Sequence, residues 1–529
     1  MVPLLGLRAT GAAPREMSVP SPSPLPANRT PAFIGIHLMV WYAMIVIAKP
    51  FLDNYGDMAE VYAWSQHLLM GSDKHPQFLP WVAHFWFEAM PRSVASFYGL
   101  AALNLGVGLA GVYALGRQVL PTRRQALAAV ALQALAFPYL TLADKLNMNA
   151  ICLATWPWVA WAFLVALRHP TARGRLLAGA GFGLLAAIAM LGKYYSAVML
   201  ASVLGIAFTP REVGVWRRPA PWLALATFAV AILPHVMWQL RHGFETLGYI
   251  EKQGSGLDLH HLISFGLAPV YYWIIPWGLS LALFYRGPVW TRFARSLRLQ
   301  GASDAVWYMA VVPYALSLVI GASGFVQLSE PWAIPIGYAF TLLWLRNADV
   351  GAAVVETKCR QLLLAFVWVW PAMLALGVTF AIWASETGAE QLYYPEAEAA
   401  AALDAQWQSL APGQALVWTA PANDGARMAF FSRLAPKVEA LPALPDALPD
   451  YYPPHPDWRS EGGVVICPLG PGSDTSAQTP CTQDVASWAA RVGVTLSAQR
   501  FVVQRQGLYA LRVQPYAFAA FFYVPGAKP

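Results

Sequence analysis

Eleven apolar stretches punctuate this 529-residue chain, at about 32–49, 94–116, 125–142, 148–167, 175–192, 195–210, 220–238, 263–285, 304–322, 331–345 and 361–384. Almost no charge falls inside them. Crossing the hydrocarbon core of a bilayer takes about 20 apolar residues of helix, and lipid offers no partner to an unpaired backbone amide. The chain is therefore predicted to be a polytopic α-helical membrane protein with about eleven spans. Its composition agrees, at 57% hydrophobic and 12% charged, against roughly 25% charged in a soluble domain. The 23 Trp, 22 Tyr and 25 Phe supply the aromatic belts of the two interfaces. Only Gly192 to Tyr195 separates the stretches 175–192 and 195–210, so one long bent helix is the alternative there. The net charge of +7 forms no basic stripe with interleaved aromatics, which argues against a nucleic-acid partner.

Loop charge orients the spans. One set of loops holds Arg117, Arg123 and Arg124, then Arg168, Arg173 and Arg175, then Arg211, Arg217 and Arg218. Arg286, Arg292, Arg295, Arg298, Arg346, Lys358 and Arg360 continue it, and Arg8, Arg15 and Arg29 stand before the first span. Cationic loops stay in the cytoplasm, which leaves residues 50–93, 143–147, 193–194, 239–262, 323–330 and everything after about 385 on the other side. Residues 1–31, rich in Pro and Ser, read as a disordered cytoplasmic tail rather than a signal peptide. Residues 32–387 form the membrane module, with a first outer loop at 50–93. Residues 388–529 change character: "QALVWT", "GGVVICPL", "QRFVVQ" and "LYALRV" read as strands and "DVASWAARVG" as a helix. With twelve acids and nine bases this tail lacks the basic excess of the membrane module. It is predicted to be a small extracytoplasmic α/β domain, where Cys467 and Cys481 are candidates for a disulfide.

The chemistry gathers in one place. "GDMAEVYAWSQHLLMGSDKHPQFLPW", residues 56–81, sets acids, a lysine and histidines between apolar neighbours. A helix over 57–70 puts Asp57 and Glu60 on one face and Val61, Trp64 and Leu68 toward the membrane interface, with Gly71 as its stop. A second amphipathic piece, "VAHFWFEAMP", follows. No GxxxxGK[ST] loop is present, so ATP-driven work is not expected.

Residues 57–82, "DMAEVYAWSQHLLMGSDKHPQFLPWV", resemble the first outer loop of the GT-C superfamily of lipid-linked-sugar glycosyltransferases. These are the relatives of the protein O-mannosyltransferases, the lipid A aminoarabinose transferase and the rhizobial lipopolysaccharide galacturonosyltransferases. "KLNMNAICLATWPWVAWAFLVAL", "GLLAAIAMLGKYYSAVML", "LPHVMWQLRHGFETLGYI" and "QLSEPWAIP" continue the resemblance in order, so that it spans about residues 32–345. It departs where many relatives have adjacent Asp-Glu, since Met58 follows Asp57, and where Pro-Pro is replaced by Pro76-Gln77.

The resemblance implies a hexosyl- or pentosyltransferase that uses a polyprenyl-phosphate sugar and an acceptor hydroxyl on a lipid, glycan or protein. Lipid A or lipopolysaccharide is one such acceptor. The implied site is the periplasmic face of the bacterial cytoplasmic membrane, among membrane lipids. Asp57 is the expected general base, supported by Glu60. Lys74, His75 and Lys193 are expected at the donor phosphate. Tyr194, Tyr195, Asp144, Asn147, Asn149, His235, Glu330 and Trp332 are weaker sugar or acceptor candidates. Plainer roles compete for several of them, capping for the two Asn and a surface pair with Lys145 for Asp144. No cofactor is expected and no metal cluster is read, although an acid pair could hold Mg²⁺. A transporter or flippase is the alternative, but it would place its charges at mid-bilayer rather than in one layer.

Overall fold

The computed structural model describes residues 29–53, 56–252, 254, 256–387, 394–434, 438–506 and 513–526. The expected disordered tail lies outside them apart from its last residues, which already belong to α1 (Arg29–Ala48). After α1 come two short helices, α2 (Asp57–Ser65) and α3 (Phe78–Ala89). The membrane module continues with α4 (Val94–Val119), α5 (Arg123–Ala134), α6 (Ala150–Arg168), α7 (Ala172–Gly192), α8 (Ser196–Ala207) and α9 (Pro219–Arg241). It ends with α10 (Glu245–Lys252), α11 (Leu259–Phe284), α12 (Val289–Ser296), α13 (Ala305–Ala322), α14 (Phe340–Arg346) and α15 (Ala352–Thr387).

Among the described residues, eight of these helices, α1, α4, α6, α7, α9, α11, α13 and α15, are by themselves long and apolar enough to cross a membrane, and the other three of the eleven stretches form shorter elements. The stretch 125–142 becomes the 12-residue α5 and a π-helical turn at Pro138–Leu142. A 12-residue helix covers only about 18 Å. α5 is buried from Gln125 to Ala134, so its apolar character reflects packing inside the bundle. The stretch 195–210 yields the 12-residue α8, separated from α7 by an extended Lys193 rather than fused into one bent helix. The stretch 331–345 is broken into 3₁₀ turns at Glu330–Ala333 and Ile336–Ala339 before α14.

The C-terminal domain is α/β, as expected. Its elements are α16 (Glu396–Leu410), β1 (Leu416–Ala420), α17 (Ala422–Phe431), β2 (Glu439–Ala440), β3 (Gly462–Pro471), α18 (Pro480–Val492), β4 (Ser497–Gln506) and β5 (Val513–Tyr523). The sheet order is β2-β1-β3-β5-β4, with β1 parallel to β2 and β3, and β5 antiparallel to β3 and β4. The expected strand "LYALRV" lies almost wholly outside the described residues. β5 was missed because "AFAAFF" is apolar on both faces and shows no alternation. Trp418, Trp458 and Trp488 form a core that also holds Cys467, bonded to Cys481 across a Cα–Cα distance of 5.7 Å. The domain docks on the first loop through rings: Phe430 of α17 lies 5.1 Å from Tyr62 and 6.1 Å from Phe97, centre to centre. Arg92 clamps the contact, donating to the Ala429 carbonyl at 2.6 Å and to Tyr62 Oη at 3.2 Å.

Candidate active site

Everything at the site hangs on how α2 begins. Gly56 takes φ = 83°, a left-handed conformation open to glycine. The turn lets the Asp53 carboxylate accept the backbone N–H groups of Asp57 at 3.0 Å and Met58 at 2.5 Å. An anion at the exposed amides of a helix start is favourable. It also holds the Asp57 backbone in place. α2 stops at Ser65, six residues short of the expected Gly71, and its Val61 and Trp64 are buried in protein rather than sunk in the membrane interface. Leu68 lies beyond the helix, about half exposed. Gly71 has another purpose: a Cβ there would come within 2.3 Å of the Trp238 ring of α9.

The Asp57 carboxylate receives Lys145 Nζ at 2.9 Å and Asn147 Nδ2 at 2.9 Å. Asn147 also caps the start of α6, its Oδ1 accepting from the Asn149 and Ala150 amides at 2.9 and 3.0 Å. Capping and site contact are thus the same side chain. Burial alone would push the Asp57 carboxyl up, but Lys145 and these hydrogen bonds outweigh it and hold the group below the usual carboxylate range. Glu60 binds Lys74 Nζ through both oxygens, at 3.0 and 2.9 Å, and burial nevertheless pushes it up to about 7. Burial draws Lys74 down, yet the Glu60 carboxylate prevails and keeps it an ammonium.

Lys193 donates to Asn149 Oδ1 and sits 4.7 Å above the Trp332 ring centre. Burial draws it down to about 8, with the Asp57 charge opposing and the Lys74 charge assisting. His75 packs edge-on to Trp64 and Tyr249, 5.9 and 5.5 Å between centres. Burial, followed by the charges of Lys193 and Lys74, holds it far below the ordinary histidine range. A neutral His75 offers a phosphate at most a hydrogen bond, a weaker part than the one expected of it.

The other candidates divide. Asp144 is no surface pair with Lys145: its side chain is 3% exposed and ion-paired with Lys49 at the end of α1. Tyr194 hydrogen-bonds His235 Nε2 and accepts from Gln239 at 2.7 Å, and His235 Nδ1 donates to the Met70 carbonyl at 2.6 Å. These residues tie α9 to the loop. Tyr195 is spent on Ser317 at 2.6 Å, and Glu330 accepts from Tyr272 at 2.9 Å. Trp332 remains beside the cluster as the platform under Lys193. Sequence reasoning overlooked Asp53 and Lys145. The signal for Lys145 was its place at the start of "KLNMNA", beside the two asparagines already singled out. An apolar cleft of about 270 Å³ is lined by Leu146, the residue after Lys145, and by Ile151, Leu79, Leu103 and Trp158 among others.

Residues 74–238 match the model of the dolichyl-phosphate-mannose–protein mannosyltransferase family. ArnT from Cupriavidus metallidurans, in the structure bound to undecaprenyl phosphate, is similar at TM-score 0.58 and 15% identity, over 95% of this chain and 99% of that one. Its apo state gives the same values. The archaeal oligosaccharyltransferase AglB from Archaeoglobus fulgidus is more distant, at TM-score 0.40 and 11% identity over 78% of this chain and 64% of that one, and carries no weight. A search of curated proteins finds no sequence match. The chain thus shares the fold of ArnT over nearly its whole length and matches the mannosyltransferase family in sequence over residues 74–238.

Proposed function

We propose that this chain is an integral-membrane glycosyltransferase that moves a sugar from a polyprenyl phosphate to a hydroxyl of an envelope acceptor, with Asp57 as general base. The observation that carries the reading is the pairing at the start of α2: Asp57 is ion-paired with Lys145 and held below the usual carboxylate range, with the Glu60–Lys74 pair one helical turn on. A carboxylate beside the acceptor hydroxyl takes its proton as the oxygen attacks the anomeric carbon. The bond from that carbon to the phosphate oxygen breaks, and the polyprenyl phosphate leaves as an anion that needs cations rather than a general acid. Lys74 and Lys193 are assigned to it, while Lys145 and Asn147 keep Asp57 ionised and aimed. ArnT was solved with undecaprenyl phosphate, which supports a donor of this class here. A prenyl tail suits the cleft, whose lining is almost wholly apolar.

The arginine-rich loops support the same topology as before, with the cluster and the C-terminal domain outside the cytoplasm. The module boundaries at 32–387 and 388–529 belong to this proposal. Mass spectrometry of envelope lipids from a deletion strain tests it. Loss of one sugar from a lipid A, glycolipid or glycoprotein, restored by the intact chain but not by Asp57→Asn, is the expected result. An unchanged glycoconjugate profile with a lost solute flux would favour a transporter and end the proposal.

A further inference from the structure

Three contacts reach from the C-terminal domain to the residues that set up α2. Glu396, at the start of α16, accepts the Leu52 amide at 3.1 Å. Arg427 of α17 donates to the Asp53 carbonyl at 3.2 Å, pairs with Glu396 at 2.9 Å and lies 4.7 Å from the Tyr394 ring centre. Asn423 packs so tightly on Gly56 that a Cβ there would lie 2.8 Å from its amide nitrogen. Glu396 and Arg427 are 2% and 5% exposed, and both are farther along the chain than any residue of the membrane module. On the opposite side of the same segment, Tyr98 of α4 donates to the Phe51 carbonyl at 2.6 Å.

A buried ion pair is a poor source of net stability, because its desolvation roughly offsets its attraction. What it supplies is directional restraint, and here the restraint falls on one short strip of backbone. Leu52 and Asp53 are its ends; the Asp53 carboxylate then fixes the amides of Asp57 and Met58. We infer that Glu396 and Arg427 are positioning residues for Asp57, so that the C-terminal domain completes the active site rather than decorating it. They act through Asp53 and touch neither donor nor acceptor. The inference rests on the glycosyltransferase reading of Asp57.

A displacement of about 1 Å in a reacting group can cost about 10²-fold in rate. In the purified full-length chain, Glu396→Ala should lower kcat by about 10- to 100-fold. The KM for a polyprenyl-phosphate sugar should stay within about twofold, because the donor contacts are untouched. Glu396→Gln, whose amide oxygen still accepts from Leu52, should recover much of the loss. Amide hydrogen exchange at Asp57 and Met58 should quicken in Glu396→Ala and in Arg427→Ala, with α4 and α6 unchanged. Should the alanine variants not fold, Glu396→Gln and Arg427→Lys serve for the exchange comparison, each with a smaller quickening expected. Folded variants with undiminished kcat, or unaltered exchange at Asp57 and Met58, would overturn the inference. If the unmodified chain transfers no sugar from any polyprenyl phosphate, the functional reading fails instead, and the exchange measurement still decides whether α2 is held.

Discussion

Lys145 sets the charge state of Asp57 through an ion pair at 2.9 Å. A general base is most effective when its pKa lies near the working pH, yet Lys145 and Asn147 hold this carboxylate low. In the proposed role Asp57 is a base that stays ionised throughout the physiological range, with its efficiency drawn from position rather than basicity. Replacing Asp57 by Asn should cost about 10²–10⁴-fold in turnover while donor binding is largely retained. Single-turnover rates beside donor titrations would show the split. Lys145→Met makes a sharper case: with the ammonium gone, burial meets less opposition and Asp57 rises. The acid limb of kcat/KM should then move to higher pH, and a profile that stays in place would remove Lys145 from this role. Glu60 differs, since burial has already lifted it to about 7. Near neutrality its hold on Lys74 therefore changes with pH, whereas Asp57 keeps its charge. Lys74→Ala should raise the donor KM as well as lower kcat.

At the scale of elements, the first loop is clamped between α9 and the C-terminal domain. Gly71→Ala drives a methyl into the Trp238 ring, an overpacking that usually costs about 1–3 kcal/mol. Thermal unfolding should register it, with a midpoint below that of the parent. On the other side, Glu439 of β2 meets His67 of the loop and His455 of its own domain, the latter at 3.1 Å. Hydrogen bonding to Glu439 raises His455 to about 9, against an ordinary 6.5. A raised histidine contributes stability that is complete below about 6.5 and is lost as pH climbs through 9. For Glu439, burial would raise the carboxyl, but bonds to His455, His67 and Tyr452 hold it far below its ordinary 4.5. Its contribution is present above 4.5 and is lost as pH falls through the depressed value. Both contributions to stability are therefore complete together between about 4.5 and 6.5. In His455→Gln the decline in thermal stability toward pH 9 should flatten.

For the whole molecule, topology decides whether the cluster can meet its substrates. The proposed arrangement puts α2, the α6 start, the α7–α8 turn and the C-terminal domain on one side of the membrane. A reporter fused after residue 385 should be active only outside the cytoplasm. Cytoplasmic activity would separate the C-terminal domain from Asp57, which the docking of Phe430 on Tyr62 does not allow. Apolar span length is a weaker guide to crossings here, since α5, α8 and the broken 330–346 segment gain their apolar character from burial among other helices. A 12-residue helix wrapped in protein needs neither the length nor the polar ends of a lone span.

Unaided, the amino-acid sequence determined the membrane class, the position of eight long helices, the α/β character of the last 140 or so residues and the loop that carries the acids. Those follow from local quantities: runs of apolar residues long enough for a bilayer, alternation in strands, and charge at helix ends. It did not determine which lysine meets which acid. Lys74 was expected at the donor alone and is held by Glu60. Asp144 was expected to pair with Lys145 and is held by Lys49, while the Lys145 ammonium meets Asp57 and Asp53. Asp57 and Asn147 are 90 residues apart, Leu52 and Glu396 are 344 apart, and no pattern within a window of sequence reports such a meeting. Ion pairing depends on separations of a few ångströms and on how much water remains, and only the packing of α2 against α3, α17 and the turn before α6 sets both.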